Sequence, residues 1–211
     1  MAEITVLRAF EQPEPSVIPR AVACLENGGL IAAPTETRYG LLVRADNPAA
    51  VERLCRLKGR SYKAPLSVFV SDPEAIESIA EFTHSGRCLA RRFLPGPLTL
   101  VLPAREQFVS PIVVEGSIGV RVSASRLVSE LVEKVGVPLT ATSANRSGAG
   151  EAETMDQVIA DFGEQVDLYL DGGRLTGPVS TVVDCRSDEV RILRQGAVSA
   201  EDILACAQGR I

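Results

Sequence analysis

The stretch GGLIAAPTETRYGLLVRADNPAAVERLCRLKGR, residues 28–60, contains the two patterns that decide the fold. It begins with a short apolar run, residues 28–34, which is typical of a buried strand. Residues 48–58 repeat apolar side chains with a helical period, and a capping residue, Asp46 or Asn47, precedes them. A strand followed by a helix is the basic unit of an α/β fold.

The same alternation continues along the rest of the chain. Apolar runs rich in Val, Ile, Leu or Thr predict strands at residues 28–34, 66–70, 98–102, 117–122, 137–143, 167–170, 180–184 and 190–194. Helical patterns lie at about residues 16–27, 48–58, 73–80, 85–93, 125–135, 154–162 and 199–207. This order predicts an α/β fold whose sheet is mixed rather than fully parallel and is covered by helices. Functional groups are expected at strand ends and in the loops that follow them.

Composition and charge limit the classes of protein to which the chain can belong. Its 211 residues, 45% of them hydrophobic, are enough to bury the core of one domain, residues 1–211. The net charge of −5 argues against a protein that coats nucleic acid through bulk electrostatics. The sequence begins without a signal-peptide pattern and lacks an apolar span of the ~20 residues that a membrane helix needs. A cytoplasmic protein without membrane contact is therefore expected.

Residue types that often carry reactive chemistry give little signal. The five cysteines are odd in number, widely separated and without a C-x-x-C pair, which predicts buried thiols rather than disulfides or metal ligands. The single histidine, His84, flanks a predicted helix start, so a triad with a histidine base is poorly supported. The sequence contains neither a Walker A loop nor G-x-G-x-x-G, so side-chain cations would have to hold any nucleotide.

Four basic side chains lie in RLKGRSYKAPL, residues 56–66, and their positions differ. On a helical wheel, Arg56 falls on the solvent side as an ordinary surface charge, as does Arg53, which precedes this stretch. Lys58 falls in the middle of the apolar face, where its amine must reach solvent or meet an anion. A glycine then ends the helix, so Arg60 turns away from it. Two interpretations follow: cations that favour the negative end of the helix dipole, or a phosphate clamp.

Polar residues at other strand ends could complete such a clamp. In TATSANRSG, residues 140–148, a strand ends at Ser143, which shares one face with Asn145 if the chain is extended. A polar turn of this kind is also common without any ligand. The segment PTET offers oxygens after the first strand, and Ser180 and Arg194 lie beside later apolar runs.

Seven short motifs occur together in a fixed order. They are PTETRYGL, LKGR with the following APL, LPGPLTLVL, IGVRV, TSANRSG, GPVSTVVD and ILRQG. Each motif is weak alone, but the ordered set resembles the YrdC/TsaC family of threonylcarbamoyl-AMP synthases over about residues 14–200. The chain is similar to the short, single-domain members of that family.

The resemblance implies a YrdC-like α/β fold, in which a twisted, open, mixed sheet is flanked by helices and surrounds a deep basic cavity. It also implies a nucleotidyltransferase that converts L-threonine, bicarbonate and ATP into threonylcarbamoyl-AMP and pyrophosphate. The product would pass to a separate complex that makes N6-threonylcarbamoyladenosine in tRNA, and weak RNA contact is a further expectation. Mg²⁺ is expected to arrive with ATP rather than to occupy a dedicated acidic site.

The resemblance assigns roles to the matching positions. A K-x-R pair and an S-x-N pair form the family's catalytic tetrad, which here is Lys58, Arg60, Ser143 and Asn145. The residues expected to bind ATP are Lys58, Arg60, Ser117, Asn145 and Arg194. Those expected to bind L-threonine are Thr37, Arg121, Ser143 and Ser180. Arg121 would pair with the threonine carboxylate through two hydrogen bonds.

Four positions depart from the family pattern, namely Arg38, Leu42, Phe69 and Glu153. Arg38 replaces an apolar residue and Leu42 a glycine, Phe69 stands where several relatives carry histidine, and Glu153 introduces an acid near the expected nucleotide. These departures leave the tetrad complete but leave the detailed substrate contacts open. The sequence also leaves the role of Lys63 undecided.

Two other functions compete with this interpretation. An RNA-binding or ribosome-maturation module would bind RNA with strong salt dependence and would not consume ATP. The pI of about 5.1 and the aromatic content of 4% argue against it. A redirected carbamoyl-transfer paralogue is the second alternative, and the complete tetrad argues against a chain that is simply inactive.

Overall fold

The computed structural model describes residues 4–9, 14–61, 64–105, 108 and 110–210. They form 11 strands: β1 Val6–Arg8, β2 Ile31–Pro34, β3 Tyr39–Leu42, β4 Ser67–Phe69, β5 Leu98–Pro103, β6 Val113–Val114, β7 Ser117–Arg121, β8 Leu139–Ser143, β9 Leu168–Asp171, β10 Thr181–Asp184 and β11 Arg191–Arg194. They also form the helices α1 Val17–Glu26, α2 Pro48–Lys58, α3 Ile76–Ile79, α4 His84–Phe93, α5 Arg126–Val135, α6 Met155–Phe162 and α7 Ala200–Ala207, and a 3-10 helix, Gly163–Gln165. Lys63 lies outside the described residues.

The strands form one mixed sheet in the order β1-β9-β2-β3-β8-β4-β7-β5-β10-β11, and β6 pairs with β7. The pairs β1/β9, β9/β2, β4/β7 and β5/β10 are parallel, and the other neighbours are antiparallel. The prediction of a mixed α/β sheet is therefore confirmed. Each strand and helix predicted from the sequence is present, with ends shifted by a few residues.

The sequence patterns do not predict β1, β3 or β6, and β3 matters most for the site. Its residues follow a polar turn without a strand-like alternation of their own. In the structure β2 and β3 form an antiparallel hairpin in which Pro34 pairs with Tyr39 and Ile31 pairs with Leu42. Leu42, one of the departures from the family pattern, is completely buried. The hairpin holds the turn residues 35–38 at one end of these strands.

Hydrophobic residues cover both faces of the sheet. Around β2, Leu30 and Ala32 belong to one core cluster, whereas Ile31 and Ala33 belong to another. Because successive strand residues point to opposite faces, this alternation places packed side chains on both sides of the sheet. Helices α1 and α5 pack together in the second cluster, and the other five helices contribute to the first.

Helix α2 begins and ends as its sequence predicts. The Asn47 side chain accepts a hydrogen bond from the backbone N–H of Ala50 at 3.1 Å, which caps the helix. Gly59 ends it with a left-handed φ of 60°. Arg53, predicted to be an ordinary surface charge, instead pairs with Asp167 at 2.5 Å and 3.0 Å, because β9 begins beside the helix. This pair ties α2 to the sheet.

The cysteine and histidine predictions agree with the structure. All five cysteines are free thiols, three of them buried and two partly buried. His84 is the first residue of α4, and the Thr83 side chain caps that helix by accepting a hydrogen bond from Gly86 at 3.0 Å. None of the helices in the described part of the chain is long and apolar enough to cross a membrane.

Candidate functional site

A cavity of about 430 Å³ lies among strands from the middle and one side of the sheet. Its walls come from the turn between β2 and β3 and from β3, β4, β5, β7, β8, β10 and β11. The predicted site residues that line it are Thr37, Arg60, Ser117, Arg121, Ser143, Ser180 and Arg194. The charged lining residues are Arg38, Arg60, Arg121, Arg186, Arg194, Glu115, Glu151 and Asp184. The structure thus brings together residues that lie more than 150 positions apart in the sequence.

The turn between β2 and β3 contributes Thr35, Thr37 and Arg38 to the cavity wall. The Thr35 hydroxyl accepts hydrogen bonds from the backbone N–H of Thr37 at 3.1 Å and of Arg38 at 3.2 Å. It also donates to the Arg38 carbonyl at 2.7 Å. A hydroxyl that bonds to its own turn in this way stabilises a tight conformation. The sequence motif therefore encodes a rigid turn.

Arg121 is held on several sides at the end of β7. Its Nη2 donates to Glu36 Oε1 at 2.8 Å and to Thr37 Oγ1 at 3.1 Å, and its Nε donates to the Gly96 carbonyl at 3.3 Å. The guanidinium lies 5.5 Å from the centre of the Phe69 ring. Arg121 is 6% exposed. Phe69, a departure from the family pattern, thus contributes an aromatic surface beneath this arginine.

Glu36 is the acidic partner of Arg121. Burial raises the pKa of this carboxyl, but the Arg121 charge and a hydrogen bond from Ser123 outweigh burial and lower the pKa below its usual value. Glu36 is therefore ionised at neutral pH. The sequence indicated only that its motif offers oxygens, because the distant Arg121 could not be placed beside it.

Lys58 does not line the cavity. Its side chain is buried, and Nζ donates hydrogen bonds to the backbone carbonyls of Ser143 and Asn145, the latter at 2.7 Å. The sequence predicted that this amine must reach solvent or meet an anion, and in the structure two backbone carbonyl oxygens accept two of its three N–H donors. Burial and the nearby Arg60 charge lower the pKa of Lys58 to about 8. Lys58 anchors the turn that follows β8.

Asn145 also organises this turn from the inside. Its side-chain oxygen accepts a hydrogen bond from the Ser143 hydroxyl, and its Nδ2 donates to the Ala149 carbonyl at 2.8 Å. Asn145 is 7% exposed and is not part of the cavity wall. Within the predicted tetrad, Arg60 and Ser143 therefore line the cavity, whereas Lys58 and Asn145 support its wall from behind.

Arg60 and Ser117 line the cavity from separate segments. Arg60 donates from Nε to the Ala64 carbonyl at 3.4 Å and from Nη2 to the Pro65 carbonyl. The Ser117 hydroxyl donates to the Val114 carbonyl at 2.8 Å. Within the described residues, the hydrogen bonds of Arg60 go to carbonyl oxygens rather than to carboxylates. Arg60 thus adds a positive charge to the cavity wall.

Arg194, in β11, and Ser180, directly before β10, contact each other in the cavity wall. Arg194 Nη2 donates to the Ser180 carbonyl and hydroxyl oxygens, both at 2.9 Å, and the Ser180 hydroxyl lies 3.1 Å from that of Thr99. The resemblance assigns these two residues to different substrates. In the structure the two side chains are in direct contact.

Two of the departures from the family pattern lie in one charged cluster. Arg38 Nε donates to Glu151 at 3.2 Å, and Arg38 Nη1 lies 3.6 Å from Glu153. Glu153 also pairs with Arg174 at 2.9 Å. The acid that the sequence placed near the nucleotide is thus paired with basic residues from other segments. Asp184 and Arg186, which the sequence did not single out, form a second ion pair in the cavity wall at 2.7 Å.

The family model for Sua5, YciO and YrdC proteins, described as "Telomere recombination", matches residues 23–196. This match covers most of the chain and includes the segments that build the cavity. The chain belongs to the Sua5/YciO/YrdC family. The resemblance that the ordered motifs indicated is therefore confirmed.

Individual members of the Sua5/YciO/YrdC family agree with this result. The threonylcarbamoyl-AMP synthase of Pyrococcus abyssi is 36% identical over 203 residues, which cover 94% of this chain and 59% of that protein. The threonylcarbamoyl-AMP synthase of Vibrio vulnificus strain YJ016 is 36% identical over 189 residues, 86% of this chain and 99% of that protein. The crystal structure of P. abyssi Sua5 complexed with L-threonine superposes with a TM-score of 0.88 at 35% identity, covering 100% of this chain and 62% of that one. The chain thus spans about six-tenths of the length of the P. abyssi relatives.

Proposed function

We propose that this chain is a threonylcarbamoyl-AMP synthase that converts L-threonine, bicarbonate and ATP into threonylcarbamoyl-AMP and pyrophosphate. The observation that carries the proposal is the content of one cavity. Arg60 and Arg194, whose described hydrogen bonds go to uncharged oxygens, share it with Arg121 and Thr37. Cations in two parts of the cavity wall suit a reaction whose substrates and products are mostly anions. Relatives that carry the name of this activity and are 36% identical to the chain also support the assignment.

The chemistry explains why such a cavity needs fixed cations. The threonine amine adds to carbon dioxide to give a carbamate, and a carbamate oxygen then attacks the α-phosphorus of ATP. Negative charge accumulates on the carbamate, the phosphates and the departing pyrophosphate. Preorganised cations and hydrogen-bond donors stabilise this charge most effectively where bulk water is excluded. The reaction requires no nucleophilic side chain, in line with the weak signal from histidine and cysteine.

We assign the threonine end of the cavity to Arg121, Thr37, Ser143 and Ser180. Arg121 would pair with the threonine carboxylate. Because Glu36 and the Gly96 carbonyl already hold the guanidinium, less side-chain entropy is lost when the substrate binds. The hydroxyl groups would accept or donate hydrogen bonds to the remaining polar atoms of the amino acid.

We assign the ATP end to Arg60, Ser117 and Arg194 in the cavity wall, together with Lys58 and Asn145 behind it. Arg60 and Arg194 would contact phosphate oxygens and stabilise the departing pyrophosphate. Lys58 and Asn145 would keep the turn after β8 in the conformation that presents Ser143. In this assignment, Arg60 and Ser143 of the catalytic tetrad face the cavity, and Lys58 and Asn145 position them.

The remaining parts of the proposal concern the surroundings of the reaction. Mg²⁺ would be held by ATP phosphates and water. Among the described residues, no group of three or more His, Cys, Asp and Glu side chains is arranged to hold a metal ion. The product would pass to a tRNA-modifying complex in the cytoplasm. One continuous sheet from β1 to β11 supports a single domain.

The deciding experiment measures pyrophosphate release from ATP and Mg²⁺ by the purified chain, with and without L-threonine and bicarbonate. We expect release only when both co-substrates are present, and threonylcarbamoyl-AMP in the same reaction by mass spectrometry. A matched reaction with L-alanine in place of L-threonine controls for unspecific hydrolysis.

The alternatives predict different results. A folded chain that releases no pyrophosphate but binds RNA with an affinity that falls steeply with salt would be an RNA-binding module. Pyrophosphate release that does not depend on L-threonine would instead indicate a redirected carbamoyl-transfer paralogue. Either result would refute the proposed synthase activity.

A further inference from the structure

Two thiols meet between helices α4 and α7, outside the residues that line the cavity. The Sγ atoms of Cys88 and Cys206 lie 3.6 Å apart. The Cys88 thiol also donates a hydrogen bond to the Cys206 carbonyl at 3.3 Å. The two residues are 118 positions apart in the sequence, so only the packing of the two helices brings them together.

The surface around this thiol pair is strongly basic. A pocket of about 290 Å³ is lined by His84, Arg87, Cys88, Arg91, Arg92 and Cys206. Cys88 is partly exposed, whereas Cys206 is 1% exposed. The pocket thus gives a small molecule access to Cys88, and its arginines favour a molecule that carries negative charge.

We propose that Cys88 and Cys206 form an oxidation site, in which a small anionic disulfide converts the two thiols into an intramolecular disulfide. The Cys88 thiol loses its proton to water, and its thiolate attacks one sulfur of the small disulfide, which releases one thiolate and leaves a mixed disulfide on Cys88. The Cys206 thiol then loses its proton to water, and its thiolate attacks the Cys88 sulfur and releases the second small thiolate. Two protein thiols are oxidised, and one small disulfide is reduced to two thiols.

The geometry favours this order of steps. Cys88 reacts first because it is the partly exposed thiol, whereas Cys206 is buried. Burial and the adjacent Cys88 raise the pKa of Cys206 to about 11, so Cys206 is mostly a thiol at neutral pH and is the second to react. A disulfide needs a sulfur separation of about 2.05 Å, and the two sulfur atoms start 3.6 Å apart.

The disulfide would add a covalent link between helices α4 and α7, which already pack together and share the hydrogen bond from Cys88 to Cys206. Helix α7 follows β11, which carries Arg194 of the proposed ATP end. A covalent link from α4 to α7 would therefore restrain the segment that carries this arginine. In a reducing compartment, a protein disulfide is expected to be transient and to form in response to an oxidant.

The test treats the reduced full-length chain with oxidised glutathione, which is anionic, then alkylates free thiols and maps the peptides by mass spectrometry. We expect a cross-linked peptide pair containing Cys88 and Cys206, with two hydrogen atoms fewer than the reduced pair. Cys55, which is 2% exposed, is expected to remain a thiol and serves as the internal control. Stable glutathione on Cys88 without the cross-link, or no reaction at Cys88, would overturn the proposal.

Variants separate the roles of the two thiols and of the basic pocket. In Cys206→Ser the reaction should stop at glutathione on Cys88, and Cys55→Ser should behave as the unchanged chain. Arg91→Gln with Arg92→Gln should slow the reaction with oxidised glutathione at least ~3-fold but not the reaction with cystamine, a cationic disulfide. Equal slowing with both reagents would contradict the role of the arginines. If Cys206→Ser does not fold, the peptide map of the unchanged chain decides the proposal alone.

Discussion

Lys58 and Arg60 are two residues apart, yet the fold uses them in opposite ways. Lys58 is the last residue of α2, is 3% exposed and binds two backbone carbonyls behind the cavity wall. Arg60 follows the left-handed Gly59, is partly exposed and lines the cavity. A single helix end therefore divides one basic motif into an internal anchor and a cation in the cavity wall. Basic residues that belong to one short sequence motif therefore need not face the same part of the structure.

Replacing the anchor is expected to have the largest effect. Lys58→Ala leaves the carbonyls of Ser143 and Asn145 without their buried donor, which should cost about 2–3 kcal/mol in free energy of unfolding. It should also lower pyrophosphate release at least ~10-fold, because the turn that presents Ser143 loses its support. Urea unfolding and the turnover assay measure the two effects on one preparation. If Lys58→Met is as stable as the unchanged chain, the hydrogen bonds of the amine are not the reason for the loss.

Replacing the cavity cation should separate activity from stability. Arg60→Ala is expected to lower turnover at least ~10-fold, since it removes a charge that stabilises the transition state. The free energy of unfolding should change by less than about 0.5 kcal/mol, because the side chain is partly exposed and not part of the core. Arg56→Ala is the matched control, since that side chain is 72% exposed on the last turn of α2, and it should change neither quantity. A loss of stability in Arg60→Ala equal to that in Lys58→Ala would remove the distinction between the two residues.

A third variant extends the comparison to Arg121, the cation at the proposed threonine end of the cavity. Glu36→Gln keeps the shape of the side chain but removes the charge that faces Arg121, which should lower stability at pH 7 by about 1–2 kcal/mol. The folded-state pKa of Glu36 is lowered, so its contribution is complete above the unfolded pKa of about 4.3 and is lost as pH falls toward the folded value. Urea unfolding of both proteins between pH 7 and pH 3 should therefore show a difference that shrinks with acid. A difference that stays constant over this range would mean that the ionised carboxylate is not its source.

Local patterns predicted most of the elements. Helix α2 was recognisable from its period, its cap and its final glycine, and each of these agrees with the structure. The hairpin strand β3 was missed because a strand buried on both faces need not alternate, and its partners β2 and β8 supply the hydrogen bonds that define it. The position of Lys58 on the apolar face was also predicted, but not the carbonyl oxygens that meet it.

The candidate site was predicted in part, through the resemblance of ordered motifs rather than through local chemistry. Lys58 and Asn145, which the resemblance assigns to ATP binding, are not among the residues that line the cavity. A motif identifies which residues act together without saying which of them face the substrate. Glu36 and the Arg38 cluster required the structure, because their partners lie between 85 and 137 positions away.

The sequence by itself determined the alternation of strands and helices, the ends of α2 and the family to which the chain belongs. These features depend on residues that are close in the chain, or on the order of short motifs. Only the tertiary structure decided that Lys58 is an anchor, that Arg121 carries a carboxylate partner and that Cys88 meets Cys206. The physical reason is that hydrogen bonds, ion pairs and thiol contacts act over a few ångströms, and the packing of both faces of the sheet decides which distant residues come that close.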